Sequence, residues 1–319
     1  MSEFSLIADY FSQQDLESDN VLLGIGDDAA IVDTTALHQL AISVDTLNEG
    51  VHFPLNTNAY DIGWKSLAVN LSDMAAMGAK PLWFTLAISL PEADPEWLCR
   101  FSEGLFKIAE QYQVKLIGGD TTRGPLSISV QIFGDYMQER RFLRSAAQVG
   151  DKIYVTGFLG DAALGLISLR KKLPLSNDEQ DSLLRKLNRP QPRVKEALAF
   201  AETVNAAIDI SDGLSADLGH ILNASQKGAR VMVGQLPISS SYRWANNTEN
   251  AYDLALSGGD DYELCMTISP QNEAKFLAIA ENLQCTVNCI GEIEEGSELL
   301  LLKADGSVYH LQKQAYEHF

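Results

Sequence analysis

Two hydrophobic periods organise the first half of the chain. Between residues 60 and 77 apolar side chains recur every three or four positions, which predicts an amphipathic helix that Gly78 and Pro81 bring to an end. Between residues 126 and 132 apolar and polar side chains alternate strictly, which predicts a half-buried strand. Asp94 followed by Pro95 predicts the start of another helix, running to about residue 112. Shorter apolar runs predict strands at 29–32, 40–44, 83–90 and 114–117.

The second half interleaves the same two kinds of pattern. Strands are expected at 152–156, 206–210, 229–233 and 263–268 and near 287 and 299, and helices at 161–170, 192–204, 214–227 and 271–283. The polar stretch 171–190 is expected to be a connection. Interleaved helices and strands predict an α/β or α+β protein. Its 319 residues exceed what one hydrophobic core usually supports, so we expect two domains, 1–140 and 141–319.

Composition narrows the class of partner. The net charge of −19 disfavours binding to nucleic acid or to an anionic membrane, since both attract basic surfaces. The four cysteines form neither a metal-ligand pattern nor a secreted disulfide framework, and residues 82–90 are too short an apolar run to span a bilayer. We therefore expect a cytoplasmic enzyme or binding protein with reduced thiols.

Aspartates beside Gly or Ser, each following an apolar run, are the main candidates for chemistry. They are Asp27, Asp28, Asp45, Asp73, Asp120, Asp209, Asp212, Asp260 and Asp261. Carboxylates that meet at element ends suit Mg²⁺, which bridges protein oxygens to substrate phosphates. Walker, kinase-loop, His-Glu-x-x-His and Gly-x-Ser-x-Gly motifs are all missing from the sequence. The pattern predicts a nucleotide site of another architecture. For single residues a plainer interpretation stays open: Asp73 could cap a local turn, and Asp260 could complete a glycine turn.

Two further stretches are candidates for anion binding. The glycine loop 157–160 leads into a helix whose N-terminus could hold an anion, but no Gly-Lys-Ser/Thr follows it as in a Walker loop, so phosphate binding is disfavoured there. Arg140, Arg141 and Arg144 form a cluster that could either hold phosphate oxygens or be a solvated linker.

Six ordered motifs closely resemble those of the thiamine-monophosphate kinase family, within the aminoimidazole ribonucleotide synthetase superfamily. They are Gly-Ile-Gly-Asp-Asp-Ala at 24–29, Ile-Ser-Val-Asp-Thr-Leu at 42–47, Asn-Leu-Ser-Asp-Met-Ala-Ala-Met-Gly at 70–78, Leu-Ile-Gly-Gly-Asp-Thr-Thr-Arg-Gly at 116–124, Ala-Ile-Asp-Ile-Ser-Asp-Gly-Leu at 207–214 and Leu-Ser-Gly-Gly-Asp-Asp-Tyr-Glu-Leu at 256–264. The resemblance spans essentially the whole chain. It implies ATP-dependent phosphorylation of thiamine monophosphate to thiamine diphosphate. It also implies a homodimer whose amino-terminal sheets join into a barrel.

The resemblance also implies residue roles. The residues expected to hold Mg²⁺ are Asp28, Ser43, Val44 through its carbonyl, Asp45, Asp73, Asp120, Asp209 and Asp212. Those expected to contact ATP are Gly119, Asp120, Arg144 and Ser211. The thiamine substrate is expected to meet His52, Asp260 and Phe319, or Tyr316 in place of Phe319. The sequence departs from the family at Asp260, where Glu is usual, and at Lys313, where an aromatic residue is usual.

The implied chemistry needs no strong base. A phosphate monoester has a second pKa of about 6, so the acceptor is already ionised at neutral pH. Catalysis then consists of positioning two anions and neutralising their charge, and we expect direct transfer without a catalytic side chain. Two alternatives remain: a ligase like aminoimidazole ribonucleotide synthetase, and a non-catalytic sensor of Mg²⁺ and nucleotide. Selenophosphate synthetase is disfavoured because no cysteine precedes Cys99.

Overall fold

The computed structural model describes residues 7–11, 21–23, 31–35, 39–136, 142–171, 173–240 and 248–311. The chain divides into two compact units, one of residues 1–74 and 79–139 and the other of residues 75–78 and 140–319. Within the described ranges no helix is long and apolar enough to cross a membrane.

The first unit is built on a mixed sheet. Its described strands are β1 (Val21–Leu23), β2 (Ile31–Val32), β3 (Leu40–Asn48), β4 (Lys80–Leu90), β5 (Lys115–Arg123) and β6 (Ser127–Asp135). β1 pairs with β2, and the other four form a sheet in the order β3-β6-β4-β5, in which β4 and β5 are parallel and the remaining neighbours antiparallel. The alternating pattern near 126–132 is confirmed as β6, whose apolar side chains are buried.

Two α-helices accompany this sheet, α1 (Ala59–Ala76) and α2 (Pro95–Tyr112), and Ile7–Phe11 form a short π-helix. The predicted start of α2 is confirmed: the Asp94 carboxylate accepts the backbone N–H of Glu96 at 2.9 Å and that of Trp97 at 3.4 Å. α1 covers the sheet face that carries Ser43, because the Ser43 hydroxyl bonds to Asp73 on this helix. The opposite face of edge strand β3 leaves Leu40, Ile42 and Val44 exposed at 43%, 54% and 59%.

The two strands of this unit that carry candidate site residues are longer than the sequence predicts. β3 continues to Asn48 and β5 to Arg123. Asp45 and Asp120 therefore lie within strands, not at their carboxyl ends as expected. Residues outside an apolar run are drawn into a strand when a neighbouring strand supplies backbone partners, and β3 is paired with β6 over its whole length.

The second unit has a six-stranded mixed sheet. Its strands are β7 (Lys152–Thr156), β8 (Val204–Asp209), β9 (Gly228–Met232), β10 (Leu264–Ile268), β11 (Val287–Glu294) and β12 (Leu299–Leu302). Their order is β12-β9-β11-β7-β10-β8, with β12 parallel to β9 and the other neighbours antiparallel. The two-domain α/β class with mixed sheets is thereby confirmed.

Helices complete this unit. They are α3 (Asp161–Arg170), α4 (Asn177–Asn188), α5 (Val194–Phe200), α6 (Leu214–Ser225), α7 (Thr248–Ser257) and α8 (Glu273–Asn282). The expectation that 171–190 is only a connection is wrong, since it holds α4. Ser176 and Glu179 form a reciprocal capping box there, and Leu183 and Leu187 bury one stripe of the helix. Helix α7 was not predicted.

Candidate functional site

Strand β3 and helix α1 bring two of the predicted metal-binding residues together. The Ser43 hydroxyl donates to Asp73 Oδ2 at 2.5 Å. Asp45 lies two residues after Ser43, on the same face of the strand. Asp73 belongs to the last turn of α1, so it does not cap a local turn after Ser72. Ser43, Asp45 and Asp73 present only oxygen atoms as possible metal ligands, as a hard cation requires.

A buried acceptor lies one turn earlier on the same face of α1. The Asn70 side chain is completely buried, and its Nδ2 donates to the Ser66 carbonyl at 3.1 Å. Its Oδ1 has no hydrogen-bond partner among the described residues. An unsatisfied buried acceptor costs about 1–3 kcal/mol. A bound cation or one of its waters could remove that cost, so this environment fits the predicted metal.

The structure does not bring Asp120 together with Asp45 and Asp73. The strand registers align Gly119 with Leu86, Val130 and Asp45, which places Gly119 on the helix-covered face. Asp120 pairs with Ala87 and so lies on the opposite face of the sheet. Gly119 is required by close packing, because a Cβ there would overlap the Leu86 carbonyl oxygen. Val44 likewise directs its side chain to the face opposite Ser43.

A tight loop after β3 fixes His52. The His52 N–H donates to the Asn48 carbonyl at 3.0 Å, and the Asn48 N–H donates to His52 Nδ1 at 3.0 Å. Because Nδ1 is an acceptor, a neutral ring carries its proton on Nε2. His52 is therefore arranged to donate a hydrogen bond from Nε2.

In the second unit, one buried carboxylate organises the turn that carries Ser211 and Asp212. Asp217, in the first turn of α6, accepts the backbone N–H groups of Ser211, Asp212 and Gly213 at Oδ2, each at 3.1 Å. Gly213 has φ +115°, which favours glycine. Burial, and then the charges of Asp209 and Asp212, raise the pKa of Asp217 to about 7. The local potential is thus negative and favours a cation.

Sequence reasoning did not identify Asp217. The available signal was an acidic residue in the first turn of a predicted helix, where a carboxylate can accept the N–H groups of the preceding turn. Asp209, which the sequence did identify, is the last residue of β8 and is 5% exposed. The structure therefore places Asp209, Ser211 and Asp212 in one strand-to-helix turn.

Asp260 lies next to this turn. Its N–H donates to the Ser211 carbonyl at 2.8 Å, and the Tyr262 hydroxyl donates to Asp260 Oδ1 at 3.2 Å. Asp260 has φ +68°, a left-handed conformation that Asp adopts more readily than most residues. It is thus both a turn residue and a neighbour of Ser211.

The anion site suggested at the N-terminus of α3 is filled by the protein itself. Both carboxylate oxygens of Asp261 accept the Gly160 N–H, at 2.8 and 3.0 Å. Asp261 is partly exposed as a whole residue, but burial of its carboxyl group raises the pKa of that group well above its usual range. A phosphate would have to displace this carboxylate, which agrees with the sequence argument against phosphate binding here.

The remaining predicted residues are exposed or undescribed. Arg144 lies in a short 3₁₀ turn (Arg144–Ala146), its side chain is exposed, and its carbonyl accepts the Ser225 hydroxyl at 2.7 Å. Asp28, Arg140, Arg141, Tyr316 and Phe319 lie outside the described residues. Across the ranges that are described, no group of three or more His, Cys, Asp or Glu side chains is arranged to hold a metal ion. Mg²⁺ commonly uses one or two carboxylates together with waters and phosphates, so the smaller groups above remain relevant.

The chain is similar to known proteins along nearly its whole length. Residues 26–135 match the N-terminal domain of AIR synthase related protein, and residues 148–301 match its C-terminal domain. The chain is 44% identical to the thiamine-monophosphate kinase of Escherichia coli (strain K12) over 318 residues, covering 99% of this chain and 98% of that protein. It is 35% identical to the thiamine-monophosphate kinase of Bacillus subtilis (strain 168), with complete coverage of both chains.

Solved structures of thiamine-monophosphate kinases also superpose on this chain. The crystal structure of thiamine-monophosphate kinase from Stenotrophomonas maltophilia K279a superposes with a TM-score of 0.87 at 46% identity, covering 97% of this chain and 98% of that one. The structure of AaThiL complexed with AMPPCP and TMP superposes with a TM-score of 0.78 at 31% identity, covering 95% and 93%. The likeness therefore includes both units.

Proposed function

The chain belongs to the thiamine-monophosphate kinase family, and from that premise we propose that it transfers the γ-phosphoryl group of ATP to thiamine monophosphate. The products are thiamine diphosphate and ADP. The observation that carries the proposal is sequence identity to thiamine-monophosphate kinases over nearly the full length of this chain and of each relative. Both units of the chain are therefore covered by the match. The AaThiL complex supports the choice of substrates, since AMPPCP is an ATP analogue.

The oxygen donors of each unit would hold Mg²⁺. In the first unit these are Ser43, Asp45 and Asp73, with the Val44 carbonyl, Asp120 and Asp28 as further donors. In the second unit they are Asp209 and Asp212. When bound, Mg²⁺ supplies positive charge to the phosphate oxygens. The contact between Ser43 and Asp73 and the unsatisfied Asn70 Oδ1 support this assignment in the first unit.

Phosphoryl transfer here depends on positioning. The acceptor phosphate is already ionised, so no side chain must remove a proton, and transfer is direct and in line. His52 donates from Nε2 to an oxygen of the acceptor phosphate. Gly119, Asp120 and Ser211 contact ATP, and the exposed Arg144 guanidinium pairs with its phosphate oxygens. These contacts offset the repulsion between two anions that must approach each other.

Specificity for the thiamine moiety belongs to Asp260 and a carboxyl-terminal aromatic residue. The Asp260 N–H bonds to the Ser211 carbonyl, so the backbone position from which the Asp260 carboxylate extends is fixed. Phe319, or Tyr316, would cover the thiamine rings.

The active form is a homodimer in the cytoplasm, in which the amino-terminal sheets of two chains join into a barrel. Support comes from edge strand β3, whose Leu40, Ile42 and Val44 side chains are exposed on one face. A second copy of the sheet would cover this face and pair with the edge of β3 that has no strand partner within the described ranges. In this arrangement residues 1–140 carry the ATP and Mg²⁺ residues of the first unit together with the dimer contact.

Release of ADP tests the function. The purified chain with ATP and Mg²⁺ should release ADP only when thiamine monophosphate is added. Release that requires a different acceptor would favour the ligase alternative, and no release under any condition would favour the sensor. Release that is indifferent to thiamine monophosphate would contradict the proposal.

A further inference from the structure

Helix α1 contains a lysine that is almost completely hidden from water. Lys65 is 1% exposed, and it is among the largest fully buried side chains of the described chain. Lysine is almost never buried to this extent unless its ammonium group has partners, because removing the charge from water is costly. Packing alone would favour an apolar side chain of similar length. The position therefore calls for an explanation in terms of what the ammonium contacts.

The ammonium group reaches the loop that carries His52. Lys65 Nζ donates to the His52 carbonyl oxygen at 3.1 Å. The same loop is closed by a hydrogen bond from the Gly50 N–H to the Phe53 carbonyl at 2.9 Å, and Phe53 is 2% exposed. His52 is thus held at its ring by the Asn48 N–H and at its backbone by Lys65.

We propose that Lys65 is a positioning residue for the acceptor phosphate. Its ammonium fixes the His52 backbone so that Nε2–H is presented in one direction. This inference rests on the proposed function, in which His52 donates to the phosphate of thiamine monophosphate. Because Lys65 acts through His52, its effect is confined to that substrate.

The test replaces Lys65 with an uncharged side chain of similar length. In Lys65→Met, the KM for thiamine monophosphate should rise about tenfold, while the KM for ATP changes less than about twofold. Calorimetric binding of thiamine monophosphate without ATP should weaken by the same factor. His52→Ala and the double variant Lys65→Met/His52→Ala should have the same KM for thiamine monophosphate, because the proposal has Lys65 act on the phosphate only through His52.

A control separates positioning from stability. Leu67→Ala removes a fully buried side chain from the same helix and opens a cavity. It should lower the melting temperature and leave the KM for thiamine monophosphate unchanged. A second readout is the nitrogen NMR spectrum of the His52 ring: the native chain should show the proton on Nε2, and Lys65→Met should show exchange between the two tautomers. If Lys65→Met does not fold, Lys65→Gln takes its place in the test, because the Gln side chain is one bond shorter and its amide falls short of the His52 carbonyl.

The outcomes are distinguishable. An unchanged KM for thiamine monophosphate in a folded Lys65 variant overturns the inference while the kinase function stands. An equal rise in both Michaelis constants, or a double variant clearly worse than His52→Ala, assigns Lys65 a general structural role and also overturns it. If the native chain neither turns over nor binds thiamine monophosphate, the proposed function fails and this inference fails with it.

Discussion

Replacing Asp217 with alanine removes the carboxylate that accepts three successive backbone N–H groups. Above its pKa of about 7 this carboxyl is charged, and each hydrogen bond to a charged acceptor contributes about 1.5–3 kcal/mol. The three bonds share one oxygen, and the donors of Ser211 and Asp212 are only partly buried, so water can replace the carboxylate there. The Gly213 donor is buried and would stay unsatisfied, at a cost of about 1–3 kcal/mol.

Loss of the charge also relieves repulsion from Asp209 and Asp212, which opposes the lost bonds. We therefore expect Asp217→Ala to lower the free energy of unfolding by about 2–3 kcal/mol, less than the sum of three bonds. For a unit of this size that corresponds to a fall in melting temperature of about 5–10 °C. Asp217→Asn keeps one oxygen acceptor and should lose about half as much.

The functional consequence should fall on ATP, because the loosened turn carries Ser211 and Asp212. Thermal unfolding and the KM for ATP are the two measurements, and the KM should rise about tenfold. Asp178→Ala is the matched control, since Asp178 is an exposed acid in the first turn of α4 and its loss should cost about 0.5 kcal/mol or less. If Asp217→Ala is as stable as the native chain, or loses stability with no change in the KM for ATP, the assigned role of Asp217 is wrong.

Asp73→Asn should keep the fold, as judged by thermal unfolding, and lose most turnover, because it removes one of the proposed metal-binding charges; an active variant would exclude that role. Ile42→Lys should shift sedimentation from dimer to monomer, whereas Leu277→Lys, at another exposed apolar position, should not. If both variants sediment as dimers, the dimer interface lies elsewhere. Asp260→Ala should weaken the binding of thiamine monophosphate much more than that of ATP, and it should also destabilise the left-handed turn by about 1 kcal/mol. Asp260→Gly should weaken binding of thiamine monophosphate without the loss of stability. Asp260→Glu should change the KM for thiamine monophosphate only modestly. If the Michaelis constants are unchanged in both Asp260→Ala and Asp260→Gly, Asp260 is a turn residue only.

Local signals in the sequence were sufficient for several elements. Helix α2 was predicted to its first residue because Asp94 and Pro95 fix a helix start by chemistry that involves only neighbouring residues. Helix α4 was missed because its surface is polar and only Leu183 and Leu187 are buried. The capping box at Ser176 was the signal that could have revealed it.

The sequence indicates which residue types could form the candidate site but not how they are arranged. Ser43 and Asp73 are 30 positions apart, and only the packing of α1 against β3 shows that they touch. The face occupied by Asp120 depends on an irregularity between Phe84 and Thr85, where β5 contains one extra residue relative to β4. A shift of one residue moves a side chain to the other face of a sheet. Gly118 and Gly119, directly after this shift, are the local signal that could have indicated it, since glycine within a strand often marks a bulge.

The most direct test of the central claim follows the transferred group. The chain is incubated with ATP labelled in the γ-phosphate, thiamine monophosphate and Mg²⁺, and the products are separated by chromatography. We predict that labelled thiamine diphosphate forms in equal amount to ADP, and that none forms when Mg²⁺ is chelated or thiamine monophosphate is left out. Label found only in inorganic phosphate, or ADP formed without thiamine diphosphate, would contradict the assignment of this chain as a thiamine-monophosphate kinase.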